Sequence, residues 1–393
     1  VTKTAFLIHS SVASGAELAL VRALEAWPAH DEAVVFLGAP GEISSRLEAI
    51  GVDCHVVEST KAGSTGVRRG SRIRARVRAG IDLVRYGAGL RQPLRSVAPD
   101  VVVARSLRAA IYGRVATAGL GIPFVWSVHD LLTPAYLGRQ ASWVFGRLLP
   151  RLTDAIIVNS EATRATVHSG RRPVLVVPPS LGFDERDREP RLDGVQRVVL
   201  LGRLAEWKGQ DVGLRAFAAI QATHDAELWI VGEALFGEDA YRDSLQSTIE
   251  DLDLGHRVRM LGHQEDPRGL LLGADVLLHS SRLPEPFGAV VIEGLAAGCV
   301  VVACKPGGPA ETIEHGVTGW LARADDVDDL AAKLETALTM EPAARRAMQE
   351  AGAARARSYE AEILSPRMAR WLGRVADGSA RGVTRAVDNG SRP

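Results

Sequence analysis

Cysteine is scarce in this chain. Its 393 residues include three, Cys54, Cys299 and Cys304. They form neither a metal-binding spacing nor an even disulfide set. That excludes a disulfide-framed scaffold and favours a reducing cytosol. Cys299 and Cys304 flank an apolar strand and are expected to be core thiols. Net charge is missing as well: Lys plus Arg and Asp plus Glu each number 47. No global field therefore draws the chain to nucleic acid or to a membrane. Long apolar runs are absent, since Gly or charge breaks each well short of a membrane span. No secretory leader is read, because the first residues run into a strand at Ala5 to His9. The loop after that strand lacks a full G-x-G-x-x-G, so dinucleotide binding is not indicated.

What is present is ordinary globular material, 46% hydrophobic and 24% charged. The length suits two α/β domains. Strands are expected at 33–37, 54–57, 101–104, 124–128, 155–159 and 174–177, with helices between them. The charged, proline-bearing run from Leu181 to Gly194 has no apolar periodicity and reads as an interdomain linker. A second βα series opens at Arg197 to Leu201. Residues after Gly378 are polar and are expected to fray.

The most informative stretch is Pro284 to Gly298, Pro-Glu-Pro-Phe-Gly-Ala-Val-Val-Ile-Glu-Gly-Leu-Ala-Ala-Gly. A proline-locked segment runs through Phe287 and Gly288 into an apolar helix. Unpaired N–H groups and the positive helix end at Gly288, Ala289 and Val290 make an anion site. Glu285 stands just before the helix and Glu293 inside it. A glutamate among apolar neighbours needs a partner, and a ligand hydroxyl would serve. Gly202-Arg-Leu-Ala-Glu-Trp-Lys-Gly-Gln210 follows the first strand of the second series. It projects Arg203 and Lys208 at the strand's carboxyl edge, where a guanidinium fork and a mobile ammonium can grip phosphate. Isolated, such a pair is more often a surface feature.

These segments resemble the Glu-x7-Glu and Gly-Arg…Lys-Gly signatures of retaining glycosyltransferases of family 4, with Glu285, Glu293, Arg203 and Lys208 at the matching positions. The resemblance implies the GT-B fold: α/β, two facing Rossmann-like domains with parallel sheets, and a C-terminal helix crossing back to the first domain. Residues 1–185, completed by the helix at 360–380, would form the acceptor-side domain. Residues 186–359 would form the donor domain. The resemblance also places Gly15 near the donor diphosphate, although Ser14 stands where the family usually has glycine. It puts His129, at a strand end in Trp126-Ser-Val-His-Asp130, beside the donor sugar. Gly262 and His263 would border the nucleobase, and Phe287, Gly288, Ala289, Val290 and Glu293 would hold the nucleotide. Catalytic roles fall to His129, Glu285, Arg203 and Lys208. Arg105, Ser106 and Tyr112 are read as lining the acceptor side.

Two stretches compete with this reading. Lys61 to Arg95 carries nine arginines, Arg68 to Arg95, against one acid, Asp82. Ile73, Val77, Ile81 and Val84 fall on one face of a helix there. It is either a solvated helix packed on its own domain or a surface for an anionic membrane or acceptor. Asp251-Leu-Asp253 looks like a metal-binding D-x-D but ends a helical pattern, so no metal is assigned.

The resulting expectation is a retaining, metal-independent glycosyltransferase of hexosyltransferase type. It would move a sugar from a UDP- or GDP-linked nucleotide sugar to the hydroxyl of a glycan, lipid-linked or small-molecule acceptor. Cell-envelope, polysaccharide or glycolipid biosynthesis is the favoured setting, in the cytosol, with the inner face of the membrane as an alternative. No cofactor beyond the donor and no nucleic-acid partner is expected. A natural-product glycosyltransferase, a same-architecture epimerase and a catalytically silent sugar-nucleotide-binding subunit are the alternatives.

Overall fold

The computed structural model describes residues 1–12, 15–58, 73–181, 194–235 and 237–387. Ser14, Arg68, Arg69, Arg72 and the linker at 182–193 lie outside the described residues. The chain divides into two compact units, Val1–Gly182 with Tyr359–Pro393, and Phe183–Ser358. In chain order the strands are β1 (Lys3–Leu7), β2 (Glu32–Leu37), β3 (Asp53–Val56), β4 (Val101–Ala104), β5 (Phe124–Val128), β6 (Ala155–Val158), β7 (Val174–Val176), β8 (Gln196–Leu201), β9 (Ala226–Val231), β10 (Val258–Gly262), β11 (Val276–His279), β12 (Val300–Lys305), β13 (Trp320–Arg323) and β14 (Val383–Arg385).

The first unit holds an eight-stranded sheet in the order β14-β7-β6-β5-β4-β1-β2-β3, and the second a six-stranded sheet, β10-β9-β8-β11-β12-β13. Every pair is parallel. The sequence explains why. β4, β5 and β6 read Val-Val-Val-Ala, Phe-Val-Trp-Ser-Val and Ala-Ile-Ile-Val, buried at every position. Strands apolar on both faces need helices on both sides, and a parallel βαβ series supplies them. Each unit has its own core: Phe36, Phe124 and Trp126 in the first, Phe217, Leu228 and Leu278 in the second.

The strand orders fix where ligands can sit. In the first sheet β1 lies between β2 and β4, and in the second β8 lies between β9 and β11. The chain therefore leaves β1 and β8 in opposite directions from β4 and β11, which opens a crevice at the carboxyl ends of those strands.

Three expectations change. The tail does not fray at once: β14 pairs with β7, and Ala380, Ala386 and Val387 are buried. Three short residues with one apolar side chain carried too weak a pattern to be read. The helix Ile73–Val97 buries Tyr86, Leu90 and Leu94, while Ile81 and Val84 are 46% and 48% exposed. Two apolar stripes share that helix, and the packed one was not the stripe chosen. Tyr112 is a core ring, 1% exposed and edge-on to Tyr86, so it lines no open surface.

The last helix, Ala361–Ala376, belongs to the first unit and packs on the helix Gly15–Glu25. Its apolar face, with Leu364, Met368, Trp371 and Leu372 buried, accounts for that docking.

Candidate functional site

In the second unit several charged residues meet at the β8–β11 crevice. After β8 the chain passes Gly202 and Arg203, then forms a tight turn, Glu206–Lys208, before the helix Gln210–Ile220. After β11 it runs Ser280 to Phe287 into the helix Ala289–Ala296. Backbone and side chain lace the two loops together: the Arg282 N–H donates to Trp207 O at 2.9 Å, and Ser280 Oγ donates to Lys208 O at 3.2 Å. Arg282 grips Asp211 through both terminal nitrogens, at 2.8 and 2.5 Å, and reaches Asp325 through Nε at 2.8 Å. Tyr241 donates its hydroxyl to Asp211 at 2.8 Å. This forked, multiply bonded arginine fixes the turn that carries Lys208.

Lys208 and Glu285 meet in the crevice. The Lys208 ammonium lies 2.8 Å from Glu285 Oε1 and 2.7 Å from Oε2, and 4.4 Å from the centre of the Trp207 ring. Both side chains are mostly buried, 16% and 10% exposed. Burial by itself would raise the Glu285 carboxyl. The Lys208 charge and the His279 contact outweigh it and hold the group well below the usual carboxylate range. Glu285 is thus an anion at any physiological pH.

The glycines around Glu285 have steric reasons. Gly288 caps the following helix at φ +82, a left-handed conformation that costs other residues free energy. It offers no side-chain cap, which leaves the first-turn N–H groups of Ala289 and Val290 without intrahelical partners. A Cβ on Gly307 would stand 2.4 Å from Glu285 O, and one on Gly308 would stand 2.0 Å from Phe287 O. Gly308 N–H donates to Glu285 O at 2.9 Å. These two glycines therefore allow the close approach of the backbone that carries Glu285.

Other candidates lie around this centre. Arg203, one residue beyond Gly202, pairs with Glu238 at 3.0 Å. Gly262 ends β10, and its carbonyl accepts from Gly232 N–H at 2.8 Å; His263 after it is exposed. Phe287 is buried at 5%. Glu293 stands one turn into the helix, partly buried. Asp251 is the last residue of the helix Asp239–Asp251 and not a loop ligand after a strand.

In the first unit, Gly15 opens the helix Gly15–Glu25 and has open space where a Cβ would go. His129 follows β5, with Nε2 3.0 Å from Ser127 Oγ and its carbonyl accepting from Asn159 Nδ2 at 3.1 Å. Burial, reinforced by Arg105, pushes the imidazole well below its ordinary pKa, so it is neutral. Arg105 follows β4, half-buried; desolvation lowers its pKa to about 10, with the Glu17 carboxylate partly offsetting that effect. Its Nη2 donates to Ala16 O at 3.0 Å. Burial, then Glu17, raises the Asp130 carboxyl. Ser106 and Ser160 act as helix N-caps, accepting from the N–H groups of Ala109 and Thr163.

Sequence reasoning missed His279 and Ser281, whose side chains both touch Glu285. Their signal was a polar pair where an apolar strand ends, which by itself is common.

The family model described as "Glycosyl transferases group 1" matches residues 183–355, and that described as "Glycosyltransferase Family 4" matches residues 39–181. The glycogen synthase of Mycobacterium tuberculosis is 30% identical over 298 residues, covering 69% of this chain and 67% of that one. The chain belongs to the family 4 glycosyltransferases. The lipopolysaccharide core biosynthesis glycosyltransferase LpsE of Rhizobium meliloti is 33% identical over 138 residues, 35% of this chain. That match spans 38% of LpsE. Among solved structures, Anabaena HepE in complex with UDP and glucose superposes with a TM-score of 0.78 at 26% identity, covering 95% of this chain and all of that one. The two parallel-sheet, Rossmann-like units are those of the GT-B class. Lys208, Glu285 and Gly288 thus occupy the switch-point crevice of the unit matched by the group 1 glycosyltransferase model.

Proposed function

We propose that this protein is a retaining glycosyltransferase that moves a sugar from a nucleotide-diphosphate donor to an acceptor hydroxyl. The observation that carries the reading is the buried Lys208–Glu285 pair beside the Gly288-capped helix, at the switch point of one sheet. A leaving diphosphate needs positive charge that is already in place. Lys208, Arg203 and the N–H groups of Ala289 and Val290 supply it, so the reading assigns no metal to the reaction. Glu285 would hold sugar hydroxyls and Glu293 the ribose. Phe287 would wall the site, and Gly262 and His263 would border the base.

The bond that breaks joins the anomeric carbon to the diphosphate oxygen. The bond that forms joins that carbon to the acceptor oxygen on the same face. The acceptor proton passes to the departing phosphate, which needs no enzyme nucleophile. HepE was solved with UDP and glucose, which favours UDP over GDP here. The LpsE relationship favours an envelope or polysaccharide acceptor over a small natural product.

Calorimetric titration with UDP, GDP, ADP and dTDP, repeated on Lys208→Ala, tests the reading. Micromolar binding of one nucleotide, lost in the variant, is expected. A folded protein that binds none of them would overturn it.

Among the described residues no helix is long and apolar enough to cross a membrane. Ile81 and Val84 are nonetheless exposed beside Arg78 and Arg85 on the helix Ile73–Val97, an arrangement that favours peripheral contact with anionic lipid. Co-sedimentation with phosphatidylglycerol vesicles should be lost in Ile81→Ser Val84→Ser.

A further inference from the structure

Glu285 is held by more than Lys208. His279 ends β11 and Ser281 follows it, with 5% and 2% exposure. Ser281 Oγ donates to Glu285 Oε2 at 3.0 Å, and His279 Nε2 lies 3.3 Å from the same oxygen. Ser281 Oγ and His279 Nε2 are 3.1 Å apart. The other ring nitrogen, His279 Nδ1, is buried and has no hydrogen-bond partner among the described residues.

These contacts settle the tautomer. A bare Nε2 lone pair would face a carboxylate oxygen and be repelled, so Nε2 carries the proton. The Nε2–H and the Ser281 hydroxyl proton therefore both point at Glu285 Oε2. The two carboxylate oxygens then differ. Among the described residues, Oε2 takes bonds from His279, Ser281 and Lys208, while Oε1 takes one from Lys208 alone.

We propose that His279 and Ser281 are positioning residues that pin Oε2 of Glu285, so that Oε1 becomes the oxygen offered to a donor-sugar hydroxyl when the diphosphate draws Lys208 away. The inference rests on the donor-site reading above and adds the division of labour within it. A diphosphate carries more negative charge than one carboxylate and competes for the same ammonium. Without a second anchor, Glu285 would lose its only partner as the donor arrives and would turn in its pocket. Two further donors on Oε2 keep the carboxylate oriented through that exchange and leave one acceptor free.

The test uses the full chain with UDP and UDP-glucose as probes, titrated into wild type, His279→Leu, His279→Gln, Ser281→Ala and Lys208→Ala. Wild type should bind UDP-glucose more tightly than UDP, the increment being the sugar contact at Oε1. His279→Leu should weaken UDP-glucose binding by about tenfold to a hundredfold, as expected for one charge-assisted hydrogen bond. UDP affinity should stay within about twofold. His279→Gln, which can still present an N–H, should restore most of the increment, a recovery that a packing role would not produce. Ser281→Ala removes a single oxygen and serves if His279→Leu fails to fold; it should lose about tenfold on UDP-glucose alone.

Equal losses for UDP and UDP-glucose, or an unchanged increment in both His279→Leu and Ser281→Ala, would overturn the proposal. Lys208→Ala separates the two levels. Undiminished UDP binding there, or a folded wild type that binds none of UDP, GDP, ADP and dTDP, sinks the donor-site reading itself. Loss of UDP in Lys208→Ala with an intact increment in the His279 and Ser281 variants sinks only the positioning roles.

Discussion

The Lys208 ammonium bridges both carboxylate oxygens of Glu285, at 2.8 and 2.7 Å, across 77 residues of sequence. Two buried opposite charges in contact are costly to separate. Removing one leaves the other buried and uncompensated, a loss of about 3–5 kcal/mol, whereas replacing both with neutral groups of similar volume is often close to neutral. Lys208→Met should therefore lower the melting temperature of the second unit. Lys208→Met Glu285→Gln should recover most of that loss, as followed by scanning calorimetry. Nucleotide binding should not recover, because the double variant lacks the cation. A double variant as unstable as the single one would show that the pair matters for its packing and not for its charge.

His129 supplies a pH signature in the other unit. Its imidazole is depressed by burial and by Arg105, and His9 is lowered by burial as well. An unfolded histidine protonates near pH 6.5. As pH falls through that value the unfolded chain takes up protons that the folded chain refuses, so stability is unaffected well above it and declines below it. Urea unfolding at stepped pH should show this decline from about pH 6.5 downward. His129→Gln should flatten it, with His9 accounting for the slope that remains. A wild-type stability constant from pH 7.5 to pH 5.5 would mean that His129 protonates in place.

Gly308 and Gly89 form a matched pair for testing the glycine argument. Alanine at Gly308 would drive a Cβ to 2.0 Å from Phe287 O, whereas at Gly89, in the long helix Ile73–Val97, nothing lies within 4 Å. Gly308→Ala must displace the segment that carries Glu285 and should destabilise by several kcal/mol while weakening UDP binding at least tenfold, as strain and overpacking at a special backbone site do. Gly89→Ala should stabilise the first unit by about 0.5–1 kcal/mol. Chemical denaturation and calorimetry measure both. A Gly308→Ala protein with wild-type affinity would remove the close approach from the account of the site.

The contrast between these residues shows what sequence could convey. Lys208, Glu285 and Gly288 were legible because the family's motif and the chemistry of anion binding pointed to the same positions. Their mutual contact was not, since nothing in a local pattern relates residues 77 apart. His279 and Ser281 were missed for the same reason: each is an ordinary polar residue until the fold brings it to Oε2 of Glu285. The apolar strands were read almost to the residue, because a segment such as Val101–Ala104, buried throughout, has few alternatives. On the long helix, by contrast, the stripe through Ile81 and Val84 and the stripe through Tyr86, Leu90 and Leu94 both satisfy helical spacing. Only tertiary packing chose between them.

The C-terminal strand gives the sharpest test of a feature that sequence concealed. β14 pairs Val383, Thr384 and Arg385 with Val174, Leu175 and Val176, and Ala386 N–H continues the ladder to Val176 O at 2.9 Å. Arg385 reaches Glu161 at 2.6 Å, and Arg367, on the last helix, donates to Ala386 O. Truncation after Gly378 would strip these bonds, uncover Ala380, Ala386 and Val387 contacts, and turn β7 into an open edge with unpaired backbone groups. The first unit should then melt several degrees lower, since about 1 kcal/mol moves a domain of this size by roughly 2–4 °C. The open edge should also raise self-association, measurable by light scattering. UDP affinity should be unchanged, because Lys208, Glu285 and Gly288 belong to the other unit. A truncated chain that melts and sediments like the full one would show that the ladder, though present, contributes no net stability. One that loses UDP binding would tie the tail to the donor site instead.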